Sequence, residues 1–174
     1  MIDVTVDGHV AVITINRPEA KNAVNGEVAS GIEAAVDRLE EDDGLWVGIL
    51  THTGNVFCAG ADLKVISAGR AAELATERGG FGGFVQRQRK KPVIVAAEGP
   101  ALAGGCELAL AADLIVASTA ARFGLPEVQR CLVAAGGGLF RLPRALPEKV
   151  AMELILTVSR SPPSGLTTSG SSTA

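Results

Sequence analysis

Aromatic side chains are scarce in this 174-residue sequence, which has five Phe, one Trp and no Tyr, 3% in all. Its core must therefore be aliphatic. The 47% of hydrophobic residues suffices for that, since a chain of this length buries roughly two thirds of its unfolded surface. Histidine is scarcer still. His9 and His52 are the whole supply, too few to suggest a His-rich metal site or a nucleophile activated by imidazole. The sequence has no Gly-x-Ser-x-Gly elbow, no Gly-x-Gly-x-x-Gly after a strand and no phosphate loop ending in Gly-Lys-Ser/Thr, so neither metal nor nicotinamide is implied. Cys58, Cys106 and Cys131 are an odd number with no apparent signal peptide, so a cytoplasmic, reducing setting is expected and a disulfide framework is not. Apolar runs are broken by Asp, Glu or Gly before they reach membrane-spanning length, and no membrane insertion is expected. With 16 basic and 19 acidic residues the net charge is −3, which argues against nucleic-acid binding. The basic cluster Arg87, Arg89, Lys90 and Lys91 reads more simply as a solvated helix end than as a phosphate contact.

Small residues dominate the informative stretches. In Ala101-Leu102-Ala103-Gly104-Gly105-Cys106-Glu107 bare backbone meets a helix start, with a carboxylate one turn inside. Glycines let ligand atoms approach the peptide plane, and the unpaired amides at the helix N-terminus favour developing negative charge. Taken alone, the glycine pair reads more simply as the start of a buried apolar helix, and Glu107 as a first-turn acid complementing the dipole. A second stretch alters that balance. Val56-Phe57-Cys58-Ala59-Gly60-Ala61-Asp62-Leu63-Lys64 repeats the arrangement, a β-like run ending in small residues before a helix capped by Asp62. Acyl activation needs two donors aimed at one oxygen, and loss of one donor costs about 2.7–4 kcal/mol of barrier lowering.

These segments, with Asn16-Arg17-Pro18-Glu19-Ala20-Lys21-Asn22-Ala23 and Phe123-Gly124-Leu125-Pro126-Glu127, resemble the crotonase superfamily, specifically the enoyl-CoA hydratases, from near Val4 to about Thr157. The resemblance implies an α/β fold, a spiral of repeated ββα units. It also implies that the backbone N–H groups of Ala61 and Gly104 form an oxyanion hole around a thioester carbonyl. Glu107 and Glu127 match the two catalytic glutamates, which hold a water that adds across the 2,3 double bond of an enoyl thioester. Two carboxylates close together in an apolar pocket are expected to push one pKa upward and share one proton. Without the resemblance, Glu127 reads as an exposed turn residue after Pro126. Substrate and CoA contacts are expected at Lys21, Ala23, Ala59, Ala61, Asp62, Leu63, Lys64, Leu102, Gly104, Gly105 and Pro126, with coenzyme A entering only as part of the substrate and no further cofactor. The family implies a homotrimer or a pair of trimers. Other reactions of the superfamily stay open: enoyl-CoA isomerisation, dehydration of a hydroxyacyl-CoA and acyl-CoA hydrolysis. So does an inactive remnant that keeps only the spiral core.

Along the chain, residues 4–6 and 10–15 read as strands of a hairpin turning at Asp7-Gly8. From Asn25, Val28, Ile32, Ala35, Val36 and Leu39 recur at helical spacing. Residues 45–51, 92–97 and 114–117 read as strands, and 139–144 and 148–156 as helices. Between Ser67 and Arg89 the run Gly79-Gly80-Phe81-Gly82-Gly83-Phe84 reads either as a flexible connector or as a lid whose two Phe cover an acyl chain. Cys131 stands where hydratases often have glycine after the second glutamate, and its side chain is expected to shift Glu127. Fourteen of the last 18 residues are Ser, Thr, Pro or Gly, a composition expected to be disordered beyond about Val158. The spiral core is thus expected over residues 1–157, without the C-terminal helical segment of crotonase relatives. A shifted reading frame or a truncation would account for that.

Overall fold

The computed structural model describes residues 1–157, and the expected disorder of 158–174 lies outside the described residues. The hairpin forms as its turn chemistry demands. Strands β1 (Ile2–Asp7) and β2 (Val10–Ile15) pair antiparallel from Ile2↔Ile15 to Asp7↔Val10, and Gly8 takes a φ of +54° at the turn. At its tip the His9 ring stacks on exposed Trp46, centroids 3.6 Å apart. Helix α1 (Gly26–Glu41) starts at Asn25, whose side chain accepts from the Val28 N–H at 2.9 Å. Its stripe Val28, Ala29, Ile32, Ala35, Val36 and Leu39 is buried against the sheet.

Then follow β3 (Val47–His52), α2 (Leu63–Ser67), the two-residue strands β4 (Ala75–Thr76) and β5 (Gly80–Phe81), β6 (Val93–Ala97) and β7 (Ala101–Leu102). Helix α3 (Gly104–Ala111), β8 (Leu114–Ala117), β9 (Phe123–Gly124), α4 (Gly138–Ala145) and α5 (Glu148–Thr157) complete the described chain. The main sheet has the order β1-β2-β3-β6-β8, parallel from β2 onward. Each successive turn of chain also adds a short stretch to a second, parallel ladder. In it Val24 pairs with Ala61, Cys58 with Ala101, and β7 with β9. One long and one short strand per turn is a spiral, and α/β in class, as expected. The second ladder stacks the loops that leave the main sheet, and so brings residues 21–24, 58–62 and 101–104 side by side.

The core is aliphatic with three buried Phe, namely Phe57, Phe84 and Phe123. Phe84 is 1% exposed and lies under the Arg89 guanidinium at 4.5 Å, so it is a core residue and not a cover for a ligand. The segment around it is fastened rather than loose. Arg78 pairs with Asp37 of α1 at 2.6 Å, Gly82 N–H donates to Leu74 O and Gln86 N–H to Gly79 O, both at 2.8 Å. The basic cluster is likewise spent on structure. Arg87 pairs with Asp37 and Arg89 with Asp113, Glu40 accepts from the Lys90 and Lys91 N–H groups, and Lys91 Nζ caps carbonyls at the end of α1. No helix among the described residues is long and apolar enough to cross a membrane.

Candidate active site

A cleft of about 970 Å³ opens where the short-strand ladder meets α3 and the turn before α4. Its floor comes from two backbone turns in contact. A Cβ added to Gly60, which has a φ of +95°, would lie 3.0 Å from the Gly104 nitrogen, and one on Gly105 would lie 2.1 Å from Cys58 O. Only glycine permits both approaches. Val24 N–H donates to Gly60 O and Asp62 N–H to Val24 O, so Ala61, lying between them, turns its own N–H the other way. Gly104 opens α3 after Ala103, whose side chain offers no cap, and the first helical N–H groups have no intrahelical acceptor. Among the described residues neither N–H meets a protein acceptor, and Ala61 and Gly104 both line the cleft.

Helix α3 is buried nearly all round, and Glu107 is the one charged residue in it. The carboxyl is 4% exposed and accepts from the Gly138 N–H at 2.9 Å. Burial, and to a lesser degree the charge of Glu127, push its pKa up to about 7. Glu127 sits in the 3₁₀ turn Pro126–Arg130, and burial raises it too. Its Oε2 is buried without a hydrogen-bond partner. The expected upward shift is therefore present, but removal from water is its leading cause rather than mutual repulsion. Cys106 beside Glu107 is wholly buried, which pushes the thiol up to about 12 and makes it packing rather than a nucleophile.

The opposite lip is the 16–23 loop. Asn22 is fully buried and ties it down, its amide donating to Thr53 O at 2.9 Å and Val56 O at 2.7 Å while its Oδ1 accepts from the Arg17 N–H at 2.8 Å. Arg17 in turn pairs with Asp62 at 2.7 Å and donates to Ala23 O at 2.9 Å. Burial alone would push Asp62 up, but the Arg17 guanidinium and the Lys64 N–H that it caps hold its carboxyl below the usual range.

The match to a family model described as enoyl-CoA hydratase/isomerase covers residues 5–170. The chain belongs to the enoyl-CoA hydratase/isomerase family. Among curated relatives it is 46% identical over 158 residues to a mevalonyl-coenzyme A hydratase of Beauveria bassiana, covering 85% of this chain and 56% of that protein. It is 40% identical over 161 residues to a carnitinyl-CoA dehydratase of Proteus mirabilis, covering 91% and 61%. Among solved structures it superposes on an enoyl-CoA hydratase from Mycobacterium tuberculosis H37Rv with a TM-score of 0.90 and 51% identity, covering 95% of this chain and 66% of that one. The chain thus spans less than two thirds of the length of these relatives.

Of the family positions read from the sequence, Lys21, Ala23, Ala59, Ala61, Asp62, Leu63, Lys64, Gly104, Glu107, Pro126 and Glu127 all line the one cleft. Leu102 and Gly105 are not among its lining residues. Leu102 donates its N–H to Cys58 O at 3.0 Å within the ladder, and Gly105 packs behind the wall against the same carbonyl. Sequence reasoning passed over Arg17, Asn22 and Arg141, whereas Phe81, one of the two Phe read as covering an acyl chain, does line the cleft. Phe81 faces Gly104 so closely that a Cβ there would lie 2.4 Å from its ring. Arg17 and Asn22 stand inside the quoted family motif, and their residue types, a guanidinium and an amide beside a turn, were the available signal.

Proposed function

We propose that this chain is an enoyl-CoA hydratase, adding water across the 2,3 double bond of an enoyl-CoA thioester. Addition puts charge on the thioester oxygen, and the N–H groups of Ala61 and Gly104 stabilise an enolate-like state that scarcely exists in the substrate. Glu107 and Glu127 hold the water between them, one carboxyl taking a proton from it as the other delivers one to C2. A carboxyl whose pKa lies near 7 can serve either duty at neutral pH. The observation that carries the reading is the buried, unpartnered Glu127 Oε2 in the same cleft as Glu107 and two acceptor-less backbone N–H groups. A buried carboxylate oxygen without a donor is costly unless a ligand or water meets it.

The relatives' names include a dehydratase, and dehydration is the same step in reverse on the same two acids. The cations at the cleft wall, Lys21, Lys64 and Arg130, suit the phosphates of a CoA, the only cofactor moiety the reaction needs. Assembly as a trimer or pair of trimers draws support from the apolar residues Leu139, Phe140, Val150, Met152 and Leu156 left exposed on α4 and α5. A cytoplasmic location fits three unpaired thiols.

The test is hydration of crotonyl-CoA by the purified protein. Glu107→Gln and Glu127→Gln are each expected to lower kcat by about 10²–10⁴. An unchanged rate in either variant removes that glutamate from the chemistry.

A further inference from the structure

Three consecutive glycines, Gly136, Gly137 and Gly138, form a turn caught between two side chains of opposite charge. On one side lies Glu107, which accepts the Gly138 N–H and stands so close that a Cβ on Gly136 would be 2.7 Å from its Oε2. On the other lies Arg141 of α4. A Cβ on Gly137, whose φ is +111°, would fall 1.9 Å from its Nη1, so the guanidinium rests directly against the turn. Nη1 donates to Gly136 O at 2.9 Å and Nη2 donates to Val85 O. The Phe140 ring, 4.8 Å from Arg141 Cζ, backs the guanidinium. Val85 and Gly136 both line the cleft, and one side chain joins them.

We infer that Arg141 is a positioning residue for Glu107: by tying Gly136 to Val85 it fixes the turn that offers the Gly138 N–H, and so sets the direction of a carboxylate with which it forms no ion pair. The inference rests on the reading of Glu107 as an acid/base group. A run of glycines has the largest backbone freedom of any sequence and cannot hold such a turn by itself. The planar guanidinium reaches two carbonyls at a fixed angle, which the ammonium of lysine does not reproduce. Its charge acts as well. Glu107 faces the negative charge of Glu127 from the Pro126–Arg130 turn and the positive charge of Arg141, while Arg141 faces Arg89 and Arg144 in addition to Glu107. Removing the guanidinium leaves Glu127 as the nearest charge and makes Glu107 harder to ionise.

Two measurements on Arg141→Gln and Arg141→Lys test this: the pH profile of crotonyl-CoA hydration, and the titration of the ¹³C-labelled Glu107 carboxyl by NMR, assigned with Glu107→Gln. Arg141→Gln is expected to lower kcat by about ten- to a hundredfold with KM little changed, and to move the Glu107 midpoint upward. Arg141→Lys is expected to return the midpoint but leave kcat low. An unaltered kcat or an unmoved midpoint in Arg141→Gln overturns the inference. Should that variant not fold, a kcat in Arg141→Lys equal to that of the unaltered protein overturns it. If the unaltered protein hydrates no enoyl-CoA, the proposed function fails and this inference fails with it, whereas hydration by the unaltered protein that is unchanged in Arg141→Gln overturns the inference alone.

Discussion

Throughout the five strands of the main sheet and helix α1 every residue other than glycine keeps a negative φ. The loops around the cleft instead hold all four left-handed non-glycine residues among those described: Lys21 and Asn22 at +53° and +54°, Ala103 at +50° and Cys131 at +53°. Sheet and α1 follow local preference, with alternating burial in β2 and a capped apolar stripe in α1. The cleft turns are held against local preference by contacts from elsewhere in the chain. Ala103 is the clearest case. It precedes Gly104 directly and reaches a ψ of −127°, a combination that suits glycine.

The sharpest way to break this contrast is to remove what holds a strained loop in place. Asn22→Ala removes a fully buried amide that supplies two donors and an acceptor to partly buried partners and leaves an alanine in a left-handed conformation. A loss of about 3 kcal/mol in urea denaturation is expected, and a loss no larger than that of an exposed-site control would mean the loop is held by something else. Next comes the buried charge. Folded Glu107 keeps its proton up to about 7 from a starting value of 4.5, so its contribution to stability is full below the unfolded value and is lost as the pH rises toward 7. Glu107→Gln should therefore be more stable than the unaltered protein at pH 8, by on the order of 2 kcal/mol, and lose that advantage at pH 4. An equal difference at both pH values counts against a buried, reluctant carboxyl.

The two smaller effects have the opposite sign from most substitutions. Ala103→Gly relieves the strained N-terminus of α3 and should raise stability by about 1 kcal/mol. Cys131→Gly should raise it by roughly 0.5 kcal/mol. If thermal midpoints fall in both variants, those turns are not strained and the contrast between sheet and cleft dissolves.

The regular elements were legible because their signals are periodic and local. Asp7-Gly8 turns the hairpin, Asn25 caps α1, and Val28, Ile32, Val36 and Leu39 are buried as their spacing requires. Glu107 and Glu127 were legible through motif resemblance, and the glycine preference noted at Cys131 matches its positive φ. The fastenings had no periodic trace. Asn22 bonds to Val56, 34 positions away, and Arg141 bonds to Val85, 56 away. Such pairs arise only when the spiral stacks its turns. The glycine run at 79–84 looked loose for a related reason. Positive φ at Gly80, Gly82 and Gly83 serves a packed corner there, anchored on α1 by charges that the run itself does not contain.

Trp46 is the chain's single tryptophan, stacked on His9 with 4° between the ring planes and absent from the lining of the cleft. The indole is thus an intrinsic optical gauge for the docking of the N-terminal hairpin, blind to an acyl group in the cleft. Emission and turnover can be recorded in one cuvette as independent channels, so a variant that loses chemistry is told apart at once from one that loses its shape.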